Sequence, residues 1–174
     1  MNVEIRPLSP HTLPAAIALV DRTFPHQRWW ERASWAFRLS LQPTWLGAPA
    51  LAAVGVRRCR YWVAMDSSNQ LQGVTGLYML LHDSHSHWLG WTCVAETMRG
   101  HGLGKLLLEH AISQATLANA SCLKLYTSDL SDQIAAVHLY ERRGFQLIRK
   151  VGARIGQRSF NTLYYQLNLP GPKT

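Results

Sequence analysis

Between Arg99 and Lys105 the chain reads Arg-Gly-His-Gly-Leu-Gly-Lys, and it then runs directly into Leu106, Leu107 and Leu108. Three alternating glycines opening an apolar run restrict the fold more than any other stretch. Glycine adopts left-handed backbone conformations at little cost, and without Cβ atoms successive N–H groups can point into one concavity. A helix beginning there adds the positive end of its dipole and its unpaired first-turn donors. Two readings are open from the loop alone: a cradle for a phosphate, or a turn that joins a strand to a helix.

Composition narrows the setting. The 174 residues are 47% apolar and 16% charged, which describes a globular chain able to bury a core without disulfides and excludes a disordered one. No repeat, low-complexity tract or linker divides it, so residues 1–174 read as one α/β domain. The formal charge of +8 points to an anionic ligand or to a generally basic surface. Apart from Arg57-Arg58-Cys59-Arg60 and Arg142-Arg143 the cations are scattered, and no basic repeat of the kind that tracks a nucleic-acid backbone is present. The three cysteines, Cys59, Cys93 and Cys122, form no Cys-x-x-Cys pair and read as free thiols in a reducing compartment. No signal-like opening and no apolar run of ~20 residues is found, so a cytoplasmic protein that does not cross a membrane is expected.

Read in order, Val3 to Arg6 alternates as a half-buried strand, ended by Pro7. Ser9-Pro10 reads as a helix start, with Leu13, Ala16, Ile17, Val20 and Phe24 as its apolar stripe up to Pro25. A second helix is expected from Glu31 to about Leu41, with Trp35 and Leu39 on its apolar face; Trp29, Trp30 and Trp35 are core anchors or the wall of an acceptor pocket. Residues 47–58 show no clear period and read as a loop with a short helix as an alternative. Strands are expected at Arg60 to Met65 and Leu71 to Leu81 around an Asp66–Asn69 turn, with Gly73 and Gly76 as bulge sites. A histidine-rich loop from His82 to His87 follows, then a strand from Trp88 to Val94. Helical spacing recurs from Gly102 to about Ala118, a short strand covers Leu123 to Thr127, and a helix capped by Ser131 or Asp132 runs to Gly144. Phe145 to Val151 and Phe160 to Leu167 close the chain as strands, and the last five residues read as a frayed tail.

The segment from Trp91 to Leu107 contains Arg99-x-x-Gly102-x-Gly104 between a strand and a helix. It resembles the acyl-CoA signature of the GNAT superfamily of N-acyltransferases, a strand followed by Arg/Gln-x-x-Gly-x-Gly/Ala and a helix. Downstream, Ala136-Val137-His138-Leu139-Tyr140-Glu141-Arg142-Arg143-Gly144-Phe145 is similar to that family's Ala-x-x-Leu-Tyr-Glu-Lys-x-Gly-Phe segment. The resemblance is tight over residues 88–147 and loose over the N-terminal half. It implies a mixed α/β fold, α+β in character, with a mostly antiparallel mixed sheet of about six to seven strands and about four flanking helices.

The same resemblance implies acetyl-CoA as cosubstrate. The amides of Gly100, His101, Gly102, Leu103, Gly104 and Lys105, with Arg99, would hold its pyrophosphate, and the backbone of Cys93 and Val94 would pair with the pantetheine arm. Gln133 stands where many members carry Asn, and it joins the cofactor-binding set. Glu96 stands where many carry Pro and reads as a surface residue. The family's helix tyrosine maps onto Tyr140, whose phenol can protonate the departing thiolate, unless it is simply a core tyrosine.

An amine must lose a proton before it attacks a thioester. His87 is the candidate base, with His85, Glu96 and water as alternatives; alternation places His85 and His87 on one face of the strand. His82, Asp83, His85 and His87 also invite a metal reading, but no further ligand completes a set, and no metal is expected. The expected activity is direct transfer of acetyl to a primary amine of a small molecule, a protein or a peptide. A non-catalytic acyl-CoA-binding sensor is the alternative, and a nucleic-acid-binding protein ranks below both. A homodimer through the C-terminal strands or the Trp-rich helices is left open.

Overall fold

The computed structural model describes residues 2–25, 32–156 and 158–170. Seven strands, β1 (Val3–Pro7), β2 (Val56–Asp66), β3 (Leu71–Leu80), β4 (Asp83–Val94), β5 (Cys122–Ser128), β6 (Gln146–Ile155) and β7 (Arg158–Asn168), form one sheet in the order β1-β2-β3-β4-β5-β7-β6. Every neighbouring pair is antiparallel except β4 with β5, which is parallel. The helices are α1 (Leu13–Thr23), α2 (Ala33–Ser40), α3 (Thr44–Ala53), α4 (Leu103–Leu117) and α5 (Ile134–Arg142). A parallel pair needs a crossover, and α4 is that crossover.

The pleat sorts the strand residues onto two faces. Trp62, Leu77, Leu89, Leu123, Leu125, Leu163 and Tyr165 turn to one side and bury with Leu108, Ala111, Ile112 and Tyr140 of α4 and α5. Tyr61, Val63, Met65, Val74 and Cys93 turn to the other and bury with Ala16, Leu19, Val20, Ala33, Phe37 and Leu51 of α1, α2 and α3. We call these the back and front faces. On the back, α4 comes so near to β3 that a Cβ at Gly73 would lie 2.8 Å from Leu107 and 3.2 Å from the Cys93 carbonyl. On the front, a Cβ at Gly76 would overlap the Tyr61 ring. Gly76 is therefore a packing glycine that also borders a slip between β3 and β4, and a second slip lies near Gly73: Ala64 pairs with Gly73 and Met65 with Leu71, leaving Gln72 as an extra residue.

Several boundaries depart from the sequence reading. Residues Thr44–Ala53 form a full helix, started by extended Pro43, whose carbonyl accepts from Leu46 and Gly47 N–H at 2.9 Å. Its apolar residues lie on all sides and Pro49 sits inside it, so it carries no period to read. The second helix begins at Ala33 and buries Ala33 and Phe37, while Trp35 is 59% exposed. Trp29 and Trp30 lie outside the described residues. The histidine-rich stretch is not a loop, since β4 begins at Asp83 and Ser86 and His87 are buried by alignment with Cys122 and Leu123 of β5. The start of α5 is Gln133, without a side-chain cap from Ser131 or Asp132.

Candidate active site

β4 and β5 run side by side for only three aligned pairs: Ser86 with Cys122, His87 with Leu123 and Trp88 with Lys124. Past Trp88, β4 stays on β3 through Leu89, Gly90, Cys93 and Val94, while β5 follows β7 as far as Ser128. The sheet opens here as a fork with the Trp88–Lys124 pair at its vertex. The β4 backbone groups between Leu89 and Val94 that point away from β3 pair with no strand among the described residues. An unpaired strand edge is a template for an extended, amide-bearing chain.

The free edge is also bent. Gly76 pairs with Gly90 and Val74 with Cys93, so Thr75 alone faces both Trp91 and Thr92. This extra residue is a bulge, which turns backbone groups out of the ladder. Trp91 takes φ 44°, a left-handed conformation uncommon for a bulky side chain, and its ring meets the edge of Phe24 with centroids 5.7 Å apart. Thr75, fully buried, and Thr92 share a hydroxyl hydrogen bond of 2.9 Å across the bulge.

β4 runs into a 3-10 turn at Glu96–Met98 and then into the glycine loop. Gly100 and Gly102 take φ 77° and 83°, and a Cβ at either would meet nothing within 4 Å. Their conformation, not crowding, calls for glycine, and the space above them is open. A Cβ at Gly104 would make ordinary contacts, 3.7 Å from Leu139 and 3.9 Å from Val94. Gly102 is the N-cap of α4 and offers no side chain to the first-turn amides of Leu103, Gly104 and Lys105, which a helix cannot pair internally. His101 donates its Nδ1–H to the Arg99 carbonyl at 2.8 Å, tying the loop across its mouth. Fully buried Leu103 and Leu107 pin the helix start against Ala64. Exposed Arg99 and Lys105 flank the loop.

The remaining sequence-derived candidates fall in different places. Tyr140 of α5 is buried on the back face, its ring 5.8 Å from that of Phe145, and burial pushes its phenol up to about 12. Gln133 accepts from the Thr127 hydroxyl at 3.5 Å, which links the start of α5 to the far arm of the fork. His87 stands one residue before the vertex, buried, with Nδ1 unpaired. Aligned with Leu123 and two residues from Leu89, its ring lies on the back face, and burial lowers its pKa below the ordinary 6.5. His85 shares that parity but is exposed, as is Glu96. Among the described residues no three His, Cys, Asp or Glu side chains gather as a metal-binding group. All three cysteines are buried, and burial pushes the Cys59 and Cys93 thiols up to about 11 and about 12.

The sequence reading missed the front of the fork. Tyr78 stacks on its β4 partner Trp88, centroids 6.1 Å apart at 23°. Lys124 Nζ lies 5.8 Å over the Trp88 ring and 2.7 Å from Asp83. Two residues along β5, Tyr126 faces its β7 partner Tyr164 at 6.1 Å. Opposite Tyr126 on the other arm is Gly90, where a Cβ would lie 3.1 Å from the Tyr78 ring, so no side chain fills the gap. The alternation of β5, with Leu123 and Leu125 inward and Lys124 and Tyr126 on the other side, was the one signal in the sequence.

Comparison with known proteins adds independent findings. Residues 57–147 match the family model described as the acetyltransferase (GNAT) domain. Among solved structures, a GNAT-family protein of Desulfovibrio desulfuricans superposes with a TM-score of 0.74 at 20% identity, covering 95% of this chain and 98% of that chain. Arabidopsis thaliana NAA60, solved with a bisubstrate analogue, gives 0.73 at 16% identity over 98% of this chain and 99% of that one. The yncA protein of Salmonella typhimurium, solved with its cofactor acetyl-CoA, gives 0.72 at 16% identity over 98% of this chain and 95% of that one. A search of curated proteins finds no match.

Proposed function

The chain belongs to the GNAT acetyltransferases, and on that premise we propose that it transfers acetyl from acetyl-CoA directly to a primary amine of a small molecule, a protein or a peptide. The observation that carries this reading is the continuity of the free, bulged edge of β4 with the open glycine loop and the bare start of α4. Together they suit a ligand with an extended amide arm ending in a diphosphate. The empty space above Gly100 and Gly102 leaves room for phosphate oxygens against the backbone, and Arg99 and Lys105 add positive charge. Cys93 and Val94 offer main-chain groups to the arm, and Gln133 stands at the opposite side of the fork.

Acetyl-CoA supplies an acyl group activated as a thioester. The amine nitrogen forms the new N–C bond, the C–S bond breaks, and two proton movements fall to this chain. Tyr140 is assigned the donation to the leaving sulfur: burial keeps its phenol protonated across the physiological range, so it is an acid and not a base. His87 is assigned the amine proton. Burial holds its imidazole neutral at neutral pH and leaves Nδ1 unpaired one residue before the vertex, and because the ring lies on the back face the assignment requires the proton to reach it through water. With buried thiols at Cys59 and Cys93, direct transfer is favoured over a covalent acyl-cysteine.

Calorimetry with acetyl-CoA, followed by mass spectrometry of products from a library of primary amines, tests the reading. Binding with acetylated product supports it. Binding with no product from any amine marks a sensor instead, and no binding removes the cosubstrate assignment.

Thermal unfolding with and without acetyl-CoA reads the same site, since a ligand that binds only the folded chain raises the midpoint. Among the described residues no helix is long and apolar enough to cross a membrane, and we read residues 1–174 as one domain.

A further inference from the structure

We propose that the front-face row is the acceptor subsite, and that the acceptor is an amine with a flat apolar body and a carboxylate at its far end, held by Arg149. This rests on the acetyl-transfer reading above. Four rings from four strands, Tyr78, Trp88, Tyr126 and Tyr164, form the row: Tyr78 is in register with Trp88 and Tyr126 with Tyr164, while Trp88 is aligned with Lys124, two residues before Tyr126. It starts at the fork, beside the gap left by Gly90, and ends at Arg149, whose guanidinium carbon lies 5.7 Å over the Tyr164 ring.

Arg149 reaches that face because the β6 ladder slips. Leu147 pairs with Tyr165 of the back face and Arg149 with Tyr164 of the front, leaving Ile148 as an extra residue. Without the bulge, Ile148 would face the row and Arg149 would take the alternate side. The two cations of the row are not equivalent. Lys124 is held by Asp83 at 2.7 Å, whereas no carboxylate among the described residues lies within ion-pair distance of Arg149. Asp129, just past the end of β5, is occupied by Asn161 and Lys150. The row thus offers aromatic rings and a guanidinium with no carboxylate partner among the described residues, a setting that suits an acid better than a polyamine.

Spacing sets the shape of the acceptor. From β5 to β6 is two strand separations, roughly 10 Å, so an amine in the fork and an acid on Arg149 must be joined by a rigid spacer. An α-amino acid, whose two groups are adjacent, is too short.

The test compares 4-(2-aminoethyl)benzoate with its carboxamide, with 6-aminohexanoate and with spermidine, using the intact protein and acetyl-CoA. A charge-assisted pair predicts about tenfold or more in kcat/KM for the acid over the amide. Arg149→Gln is expected to abolish that ratio, and Tyr164→Leu to raise KM for both ring-bearing amines while leaving the ratio intact. Equal rates for acid and amide, a preference for spermidine or 6-aminohexanoate, or exclusive acetylation of a peptide amino terminus overturns the proposal. Binding of 4-(2-aminoethyl)benzoate to the protein alone, followed by ligand-observed NMR, separates the two layers. Saturable binding lost in Arg149→Gln supports the subsite even if acetyl-CoA does not bind, and absence of binding overturns it even if acetyl-CoA does.

Discussion

Trp88 and Lys124 form the last aligned pair between β4 and β5, and the Lys124 ammonium lies 5.8 Å over the Trp88 ring while it bonds Asp83 at 2.7 Å. The place where the sheet stops being continuous is thus held by a ring, a cation and a carboxylate from both of its arms.

Removing that carboxylate should loosen the vertex. The Lys124 hydrogen bond is the main cause that holds the Asp83 carboxyl below its ordinary 3.8, and both side chains are about one-fifth exposed. Asp83→Asn should cost about 1–2 kcal/mol by urea unfolding at neutral pH. A depressed folded pKa means the contribution is present above 3.8 and fades as pH falls below it. Wild type and variant should therefore converge in acid; a constant difference down to pH 2 would show that the ion pair is not its source.

Tyr140→Phe tests the proposed proton donation. It keeps the buried ring beside Phe145 and removes only the hydroxyl. Turnover of a competent amine should fall by about a hundredfold or more, with acetyl-CoA affinity by calorimetry within about twofold. Unchanged turnover would return Tyr140 to the core.

The glycines of the loop separate stability from binding. Gly104→Ala places a methyl in ordinary contact with Leu139 and Val94 in the first turn of α4, and helix propensity should raise stability by up to about 1 kcal/mol. Gly102→Ala keeps an open site but forces φ 83° on a residue with a Cβ, costing about 1 kcal/mol. Thermal unfolding should move in opposite directions for the two, and acetyl-CoA affinity should fall for Gly102→Ala.

His87 should set an acid limb. Its pKa is lowered by burial from 6.5, so kcat/KM should hold as pH falls to 6.5 and decline only below it, and His87→Gln should flatten that limb. Stability should decline with it. The unfolded imidazole binds its proton first as pH falls below 6.5, so the neutral folded form loses ground from there downward. His110, lowered chiefly by burial and then by Arg60, adds to the same slope, which the double variant with His110→Gln should remove.

The sequence made the local part of this site readable and left the rest hidden. The loop from Arg99 to Lys105 and the helix bearing Tyr140 depend on short-range chemistry, glycine conformation and helical spacing, and they stand where their residues indicate. α3 was hidden because Trp45 and Leu46 are exposed while Gly47 and Leu51 are buried, which leaves no apolar stripe. The start of β4 was hidden because Ser86 and His87 are polar residues buried only by a strand that arrives 36 residues later. The bulge at Trp91 and the row from Tyr78 to Arg149 depend on register between strands, a property that no single segment carries.

The fork also bears on how the chain assembles. From Val56 to Val94, β2, β3 and β4 follow one another in sequence and can zip by turns, and β6 and β7 do the same at the other end. Only three aligned pairs, at Ser86 to Trp88 and Cys122 to Lys124, join the two halves, and they close only after α4 has formed between them. Such long-range parallel closure is the slow kind. In pulse-labelled hydrogen exchange the amides of those six residues should be the last of the sheet to gain protection, so the seam that defines the cleft is also the final stitch of the fold.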